Sequence, residues 1–414
     1  TEGASPRLVV VALAFALGSA LVLFARAFGG RRIADAVRRA GRGPTLQRVL
    51  GVVMLATALA MATDTDLRFQ STLADHLPSW AVTPTQGLEN DDAVQRRLAD
   101  LHDGPKFAAS HPQMAGEALP DLGAAPDFTG NERWFNTAGG RPLSLRQLRG
   151  KVVLVDFWTY TCINCLRTLP YMKSWDRKYG KDGLVIVGVH TPEFAFEHVV
   201  SNVREASRKL GVRYPVAIDN DYRTWDAYQN DAWPAEYLID RRGHVREVKK
   251  GEGHYDETER SIRALLGESG TAQLATVKDR TPQHLTTPES YLGWTRLERY
   301  VGSPITPDRE AAYRFPREIP LNDLAYAGDW SIERERIVAG RGARLRLHFL
   351  AQNVYLVLSG RGRLRVLVGG RPVKTVRVDG LSRLYTLLRY PDLSEGALEL
   401  RLTPGIAAYA FTFG

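Results

Sequence analysis

Cys162 and Cys165 are the only two cysteines in the 414 residues, and only Ile163 and Asn164 separate them. Since the chain offers no third cysteine, a framework of structural disulfides is excluded, and a zinc site would need two ligands of other types. At a helix N-terminus the first thiol of such a pair has a lowered pKa, and the second can reach it one turn later. We therefore predict thiol–disulfide exchange with Cys162 as nucleophile and Cys165 as resolving thiol. The redox-active disulfide is the only cofactor that this chemistry needs.

An acidic and an aromatic residue precede the pair. Asp156 lies six residues before Cys162, at the end of an apolar strand, where a buried carboxylate is placed to accept the proton of Cys165. A strand-end carboxylate without a catalytic role is the alternative interpretation. Trp158 is predicted to pack against the turn and to shield the disulfide.

A second proline-containing segment is predicted to face the thiols. Trp233-Pro234 precedes a predicted strand, and an aromatic residue before such a proline fits a cis peptide bond. A trans proline on an edge strand is the alternative. The catalytic candidates are Cys162, Cys165, Asp156 and Pro234, and the candidate active-site neighbours are Trp158, Ile163, Asn164 and Trp233.

The elements that must position these residues alternate between strand and helix. Strands are predicted at 152–157, 184–189, 214–218, 235–239 and 245–248, and helices after Cys165, at 196–210, at 224–228 and from Asp256 onward. Asp256 and Glu259 have the spacing of a capping box. This order predicts an α/β domain with a central mixed sheet over residues 121–268.

The C-terminal part has a different pattern. Residues 269–320 are rich in Pro, Thr and Gly and are predicted to be a linker. Over 321–414, short alternating strands separated by Gly, Pro and Asp turns predict an all-β sandwich (jelly roll). Five aromatic residues of this part are candidates for stacking on sugar rings, although a place in the core or rim of the sandwich is the favoured interpretation. They are Trp330, Tyr355, Tyr385, Tyr390 and Tyr409.

The N-terminal part, residues 1–68, is predicted to form two transmembrane helices. Residues 8–28 are long and apolar enough to span a bilayer, whereas 46–62 is shorter, so a buried amphipathic helix is its alternative. The Arg-rich loop between them predicts that everything after residue 63 faces away from the cytoplasm. Residues 69–120 are predicted to be a linker. The arginines behind the net charge of +9 are scattered rather than gathered on one face, so nucleic acid is not a predicted partner.

Longer stretches of sequence resemble known families. The strand end Val-Asp-Phe-Trp, Pro170 and Trp233-Pro234 resemble thioredoxin. Thr-Tyr-Thr-Cys-Ile-Asn-Cys-Leu-Arg-Thr-Leu-Pro, Gly-Val-His-Thr-Pro-Glu-Phe and Trp-Pro-Ala-Glu-Tyr resemble the DipZ family. That resemblance implies the end of a CcdA/DsbD-like membrane domain, a TlpA/redoxin-type thioredoxin-like domain and a carbohydrate-binding-like β-sandwich. Many TlpA-like proteins have Glu where this chain has Thr168, so a proton-transfer role for that Glu does not carry over.

The resemblance also implies the partners. The expected function is a membrane-anchored, multi-pass oxidoreductase with both folded domains extracytoplasmic. It would take electrons from a CcdA/DsbD-like membrane donor, either a separate protein or a preceding part of the same one. It would pass them to envelope protein disulfides, in cytochrome c maturation or in general disulfide reduction.

Two other functions stay open at this stage. A thiol peroxidase would use Thr159, three residues before Cys162, but position 155 is Val where that class has Pro. A membrane-tethered module that binds envelope glycans through the β-sandwich would need no chemistry at the cysteines.

Overall fold

The computed structural model describes residues 107, 119–131, 133–267 and 277–414. A six-stranded mixed sheet has the order β1-β4-β3-β2-β5-β6. Its strands are β1 (Trp134–Phe135), β2 (Val152–Trp158), β3 (Leu184–His190), β4 (Val216–Ile218), β5 (Ala235–Ile239) and β6 (Val245–Lys250). Strands β2, β3 and β4 run parallel, and β5 pairs antiparallel with β2. The prediction of a thioredoxin-like mixed α/β sheet is confirmed.

Strand β2 is central and is buried along its whole length. Val152, Leu154 and Trp158 point into one hydrophobic cluster, while Val155 and Phe157 point into another on the opposite face. Because side chains alternate along a strand, filling both clusters takes an apolar run, which in β2 is broken only by Asp156. Each such side chain contributes roughly 1.5–3 kcal/mol by leaving water, so β2 is a rigid base for the residues that follow it.

Four α-helices accompany this sheet, with 3₁₀ turns at Ala138–Gly140, Gly180–Asp182 and Ala195–His198. They are α1 (Ile163–Tyr179), α2 (Val200–Lys209), α3 (Arg223–Ala227) and α4 (Tyr255–Leu266). The helix predicted at 196–210 is thus split into a 3₁₀ turn and α2.

The predicted capping box at the start of α4 is wrong. Helix α4 begins one residue earlier, after His254 in a left-handed conformation with no side-chain cap. Glu259 is 1% exposed, and its carboxylate accepts hydrogen bonds from Trp175 (3.0 Å) and Tyr179 (2.5 Å). Glu259 therefore anchors α4 to α1 instead of capping α4.

The C-terminal part forms a seven-stranded antiparallel sheet with the order β12-β11-β13-β10-β9-β8, in which β7 pairs with β13. The strands are β7 (Ser290–Tyr291), β8 (Glu310–Tyr313), β9 (Leu324–Ile332), β10 (Ile337–Ala339), β11 (Arg344–Val368), β12 (Arg371–Leu402) and β13 (Ala407–Phe413). The all-β prediction is confirmed at the level of an antiparallel sheet, and the jelly-roll arrangement stays a prediction.

Two predicted linkers contribute residues to these cores. Strands β7 and β8 come from the stretch 269–320 and pair within the second sheet. Phe107, from the stretch 69–120, packs against Tyr228 and Tyr237 with ring centroids 6.3 Å and 6.1 Å away. Pieces this short carry no readable hydrophobic period, which is why their sequence resembles a linker.

The two sheets share a packed boundary. Phe196, in the loop after β3, lies edge-on to Tyr409 of β13 with centroids 4.8 Å apart, and Phe194 lies 5.5 Å from the same ring. The backbone N–H of Ala195 donates to Glu335 at 2.8 Å. The C-terminal sheet therefore packs against the loop that borders the cysteine pair.

The two predicted membrane spans, 8–28 and 46–62, lie outside the described residues. Within the described ranges no helix combines the length and the hydropathy needed to cross a membrane.

Candidate active site

Cys162 and Cys165 lie at the N-terminus of α1. Cys162 is the N-cap residue, and its Sγ accepts a hydrogen bond from the backbone N–H of Cys165 at 3.4 Å. Cys162 is half-buried, whereas Cys165 is 1% exposed. Burial raises the pKa of the Cys165 thiol well above its usual range. The half-buried thiol is thus the more accessible one for attack, and the buried one is held protonated behind it.

The predicted proline segment faces the nucleophile. The Trp233–Pro234 peptide is cis, and the carbonyl of Trp233 accepts from the Cys162 thiol at 3.9 Å. The Trp233 ring packs on Trp225 with centroids 4.3 Å apart. The structure therefore brings Cys162, Cys165, Trp233 and Pro234 together, although their catalytic roles stay predictions.

Asp156 lies beneath the pair in a row of charged residues. It stands opposite Glu236 on β5, which stands opposite Lys249 on β6. Lys249 Nζ is 2.9 Å from Glu236 Oε1. Burial, and then the Glu236 charge, raise the pKa of Asp156 well above its usual range. The Asp156 charge in turn is one of the causes, after burial and the neighbouring Cys162, that raise the pKa of Cys165.

Asp156→Asn is expected to stabilise the fold and to slow resolution. Since the folded pKa of Asp156 is raised, the unfolded chain ionises first, and stability is lost as pH rises above about 4. Asn removes that loss, so the free energy of unfolding at pH 7 should rise, as measured by urea denaturation from pH 4 to 8. Without the base, attack by Cys165 on a mixed disulfide should slow by about a hundredfold. The control Asp182→Asn, at an exposed residue, should change neither the free energy of unfolding nor the rate of attack by Cys165. Equal stability profiles for Asp156→Asn and the wild type would contradict the raised pKa of Asp156.

Glu197 is a buried carboxyl that the sequence did not single out. Its Oε1 accepts from the hydroxyl of Thr161 at 2.6 Å and from the Thr161 N–H at 3.3 Å. Its Oε2 accepts from the N–H groups of Glu193 (2.7 Å) and Phe194 (3.1 Å). Thr161 is the residue before Cys162, so Glu197 ties the loop after β3 to the active-site turn. Burial raises the pKa of Glu197 to about 7.

Glu197→Gln is expected to reduce the loss of stability between pH 4.5 and 7. The unfolded Glu ionises near 4.5 and the folded one near 7, so the wild type loses roughly 3 kcal/mol across that range. The Gln amide leaves backbone N–H groups unpaired, so the free energy of unfolding of the variant should be lower. Because Gln does not ionise, that free energy should also change less with pH. Denaturation profiles test this, with Glu205→Gln on α2, where the side chain is 37% exposed, as control. Identical slopes for both variants would refute it.

Thr159 and His190 form a closed pair behind the cysteines. Both are fully buried, and Thr159 Oγ1 lies 3.3 Å from His190 Nε2. The Trp158 ring lies edge-on to His190 with centroids 5.4 Å apart, so Trp158 packs beneath the turn. Burial lowers the pKa of His190 to about 3, which keeps the ring neutral.

Arg167 joins the active-site turn to the C-terminal sheet. Its guanidinium makes two hydrogen bonds to Glu252 (2.6 Å and 2.7 Å) and one to Asn164 Oδ1 at 2.7 Å. It also donates to the carbonyl of Phe413 at 3.3 Å. One side chain thus connects the dipeptide between the cysteines with the last strand of the chain.

The five aromatic candidates for sugar stacking separate into two groups. Trp330, Tyr385 and Tyr409 are buried in the domain cores. Tyr355 and Tyr390 are half-buried and line a groove between α1 and the C-terminal sheet. The interpretation that most of these rings fill the core agrees with their burial, and glycan binding stays a prediction.

Comparison with known proteins finds family models and relatives that match this chain. Residues 123–248 match the AhpC/TSA family model, and residues 287–414 match the model of the thioredoxin like C-terminal domain. The chain is 36% identical over 414 residues to protein DipZ of Mycobacterium tuberculosis, covering 98% of this chain and 59% of that protein. It is 32% identical over 127 residues to thiol-disulfide oxidoreductase ResA of Geobacillus thermodenitrificans, covering 31% of this chain and 67% of ResA. It is 28% identical over 145 residues to thiol-disulfide oxidoreductase YkuV of Bacillus subtilis, covering 35% of this chain and 95% of YkuV.

The fold, the Cys162–Cys165 pair and these relatives define a thioredoxin-like thiol–disulfide oxidoreductase, as predicted. Within that class, the chain is DipZ-like: its AhpC/TSA-type redoxin domain precedes a thioredoxin like C-terminal domain. It spans 59% of the length of each of the two mycobacterial DipZ proteins.

Proposed function

We propose that this protein is a membrane-anchored, extracytoplasmic reductase of envelope protein disulfides, with Cys162 as nucleophile and Cys165 as resolving thiol. The observation that carries the proposal is the asymmetry of the pair. Cys162 is half-buried at a helix N-terminus, and Cys165 is 1% exposed behind it. This arrangement suits attack on a substrate sulfur followed by intramolecular release.

The exchange balances without another cofactor. The Cys162 thiolate attacks one sulfur of the substrate disulfide, forms a mixed disulfide and expels the other sulfur as a thiolate. Asp156 takes the proton of Cys165, whose thiolate then attacks Cys162 Sγ and expels the second substrate sulfur. The substrate gains two electrons and, after proton uptake, two protons. The Cys162–Cys165 dithiol is oxidised to a disulfide.

The next turnover needs a reductant from outside the described chain. The 414 residues contain no third cysteine, so no second dithiol of this chain can reduce the Cys162–Cys165 disulfide. The apolar stretches 8–28 and 46–62 and the likeness to DipZ support a CcdA/DsbD-like membrane donor. The Arg-rich loop between the stretches supports an extracytoplasmic position for both folded domains. Cytochrome c maturation and general disulfide reduction are both compatible with such a donor.

The thiol peroxidase alternative is less well supported, even though residues 123–248 match the AhpC/TSA family model. The Thr159 hydroxyl is fully buried and paired with His190, so it does not face an incoming peroxide. A resolving cysteine one helical turn away is suited to disulfide exchange.

Two measurements on the full chain in membranes test the proposal. The Cys162–Cys165 couple should have a reduction potential near the thioredoxin value of about −270 mV, whereas a value near about −120 mV would indicate an oxidase. In intact cells, a membrane-impermeant maleimide should label Cys162 after reduction. Labelling only after cell lysis would overturn the extracytoplasmic position.

A further inference from the structure

A groove of 1070 Å³ lies between helix α1 and the C-terminal sheet. Its walls are Ile163, Leu166 and Pro170 of α1, the segment 277–286, and residues of β11 and β12. Ile163 follows Cys162 directly in the chain, so the groove extends from beside the nucleophile along the outer face of α1. Neither sheet forms this surface alone.

The groove is as large as the largest pockets for drug-sized molecules, which measure about 300–1000 Å³, and it is open along one side. A chain-like ligand fills such a shape better than a compact one.

The charges on the groove argue against a strongly ionic ligand. Lys278, Arg280 and Arg389 are exposed along it, and so are Asp279 and Asp392. Because both signs are interspersed, a phosphate-rich or uniformly acidic ligand would meet repulsion as well as attraction.

Exposed apolar side chains indicate what the groove receives. Only four large hydrophobic residues are exposed in the described part of the chain; one of them, Leu393, lines the groove, and another, Leu285, lies next to lining residues in the chain. Leu393 lines the groove and is 37% exposed, and Leu285, between the lining residues His284 and Thr286, is 93% exposed. Solvated leucines at a groove that also has Ile163 in its wall are suited to contact with apolar side chains of a partner.

The polar lining complements a peptide backbone. Gln283, Gln352 and Thr386 bring amide and hydroxyl groups that both donate and accept hydrogen bonds. An extended polypeptide has alternating N–H and C=O groups, together with side chains for the leucines.

We propose that this groove binds the extended, unfolded polypeptide segment that flanks a substrate disulfide, with apolar side chains of that segment on Leu285 and Leu393. The inference rests on the proposed reductase function and names its substrate class, non-native protein chains rather than small disulfides. The C-terminal sheet is thereby part of the substrate site.

The test compares two substrates on matched variants of the full chain. One is a peptide with a single disulfide flanked by leucines, and the other is the small bis(2-hydroxyethyl) disulfide. The double variant Leu285→Ser/Leu393→Ser should lower kcat/KM for the peptide about tenfold and leave the small disulfide unchanged. Val373→Ser, at another exposed hydrophobic residue (54%) outside the groove, is the control and should behave as wild type.

A binding measurement separates this inference from the function itself. Cys162→Ser/Cys165→Ser should bind the alkylated leucine peptide in fluorescence anisotropy, and the added leucine substitutions should weaken that binding by the same factor. If the wild type reduces neither substrate, the proposed function fails while peptide binding still tests the groove. If the small disulfide is reduced but the leucine substitutions change neither peptide turnover nor binding, the groove assignment is overturned. Binding of neutral oligosaccharides in place of the peptide would also overturn it.

Discussion

Cys162→Ser is expected to abolish disulfide reduction, with a loss of roughly a thousandfold or more, whereas Cys165→Ser should stop the enzyme after one half-reaction. The serine hydroxyl is not ionised near neutral pH, so the helix N-terminus has no thiolate to stabilise at Cys162. With Cys165 removed, Cys162 still attacks but nothing expels the second substrate sulfur. The mixed disulfide should accumulate and be visible by non-reducing electrophoresis and intact mass.

The two variants together decide the order of attack. Accumulation of a mixed disulfide in Cys162→Ser instead of Cys165→Ser would show that the buried thiol is the nucleophile. That result would contradict the asymmetry of exposure, half-buried against 1% exposed. Thr159→Val is a useful companion, since a reductase should retain turnover without that hydroxyl and a peroxidase should not.

Arg167→Leu is expected to produce the largest loss of stability outside the hydrophobic cores. The Arg167 and Glu252 side chains are 7% and 11% exposed, so the substitution leaves a carboxylate buried without its partner. Breaking such a pair costs about 3–5 kcal/mol. The carbonyl of Phe413 also loses its donor, so the end of β13 should become more accessible to protease. Urea denaturation and limited proteolysis measure the two effects.

Two variants give this prediction its controls. Lys209→Leu breaks an exposed pair with Glu205, whose side chains are 53% and 37% exposed, and should cost only about 0.3–0.5 kcal/mol. The double variant Arg167→Leu/Glu252→Leu removes the orphaned charge as well and should recover much of the lost stability. Equal losses for Arg167→Leu and Lys209→Leu would show that burial of the pair does not matter.

Parts of the site that depend on neighbours in sequence were predictable. The apolar run of β2, the helix that begins at the cysteines and the proline after Trp233 are encoded within short windows, where the period of the side chains selects strand or helix. The strand order and the placement of Asp156 below the pair agree with the resemblance to thioredoxin. The membrane spans belong to residues outside the described ranges and stay predictions.

Parts that depend on distant residues were not predictable. Glu197 reaches Thr161 across 36 positions, and Arg167 reaches Phe413 across 246. No local pattern distinguishes the fully buried Glu197 from the half-buried Glu205 nearby. Glu259 has the spacing of a cap but hydrogen-bonds to Trp175 and Tyr179 across the core, because burial outweighs a helix-end contact with solvent.

The sequence by itself determined the chemistry: two cysteines at helix spacing, with no third in the 414 residues, permit a single redox couple within them. Only the tertiary structure decided which thiol is more exposed, that Glu197 binds the residue before Cys162, and that Arg167 joins the active-site turn to the C-terminal sheet. The physical reason is that reactivity follows from the type and spacing of a few residues. Burial, pKa and the shape of a groove depend on which distant segments pack together.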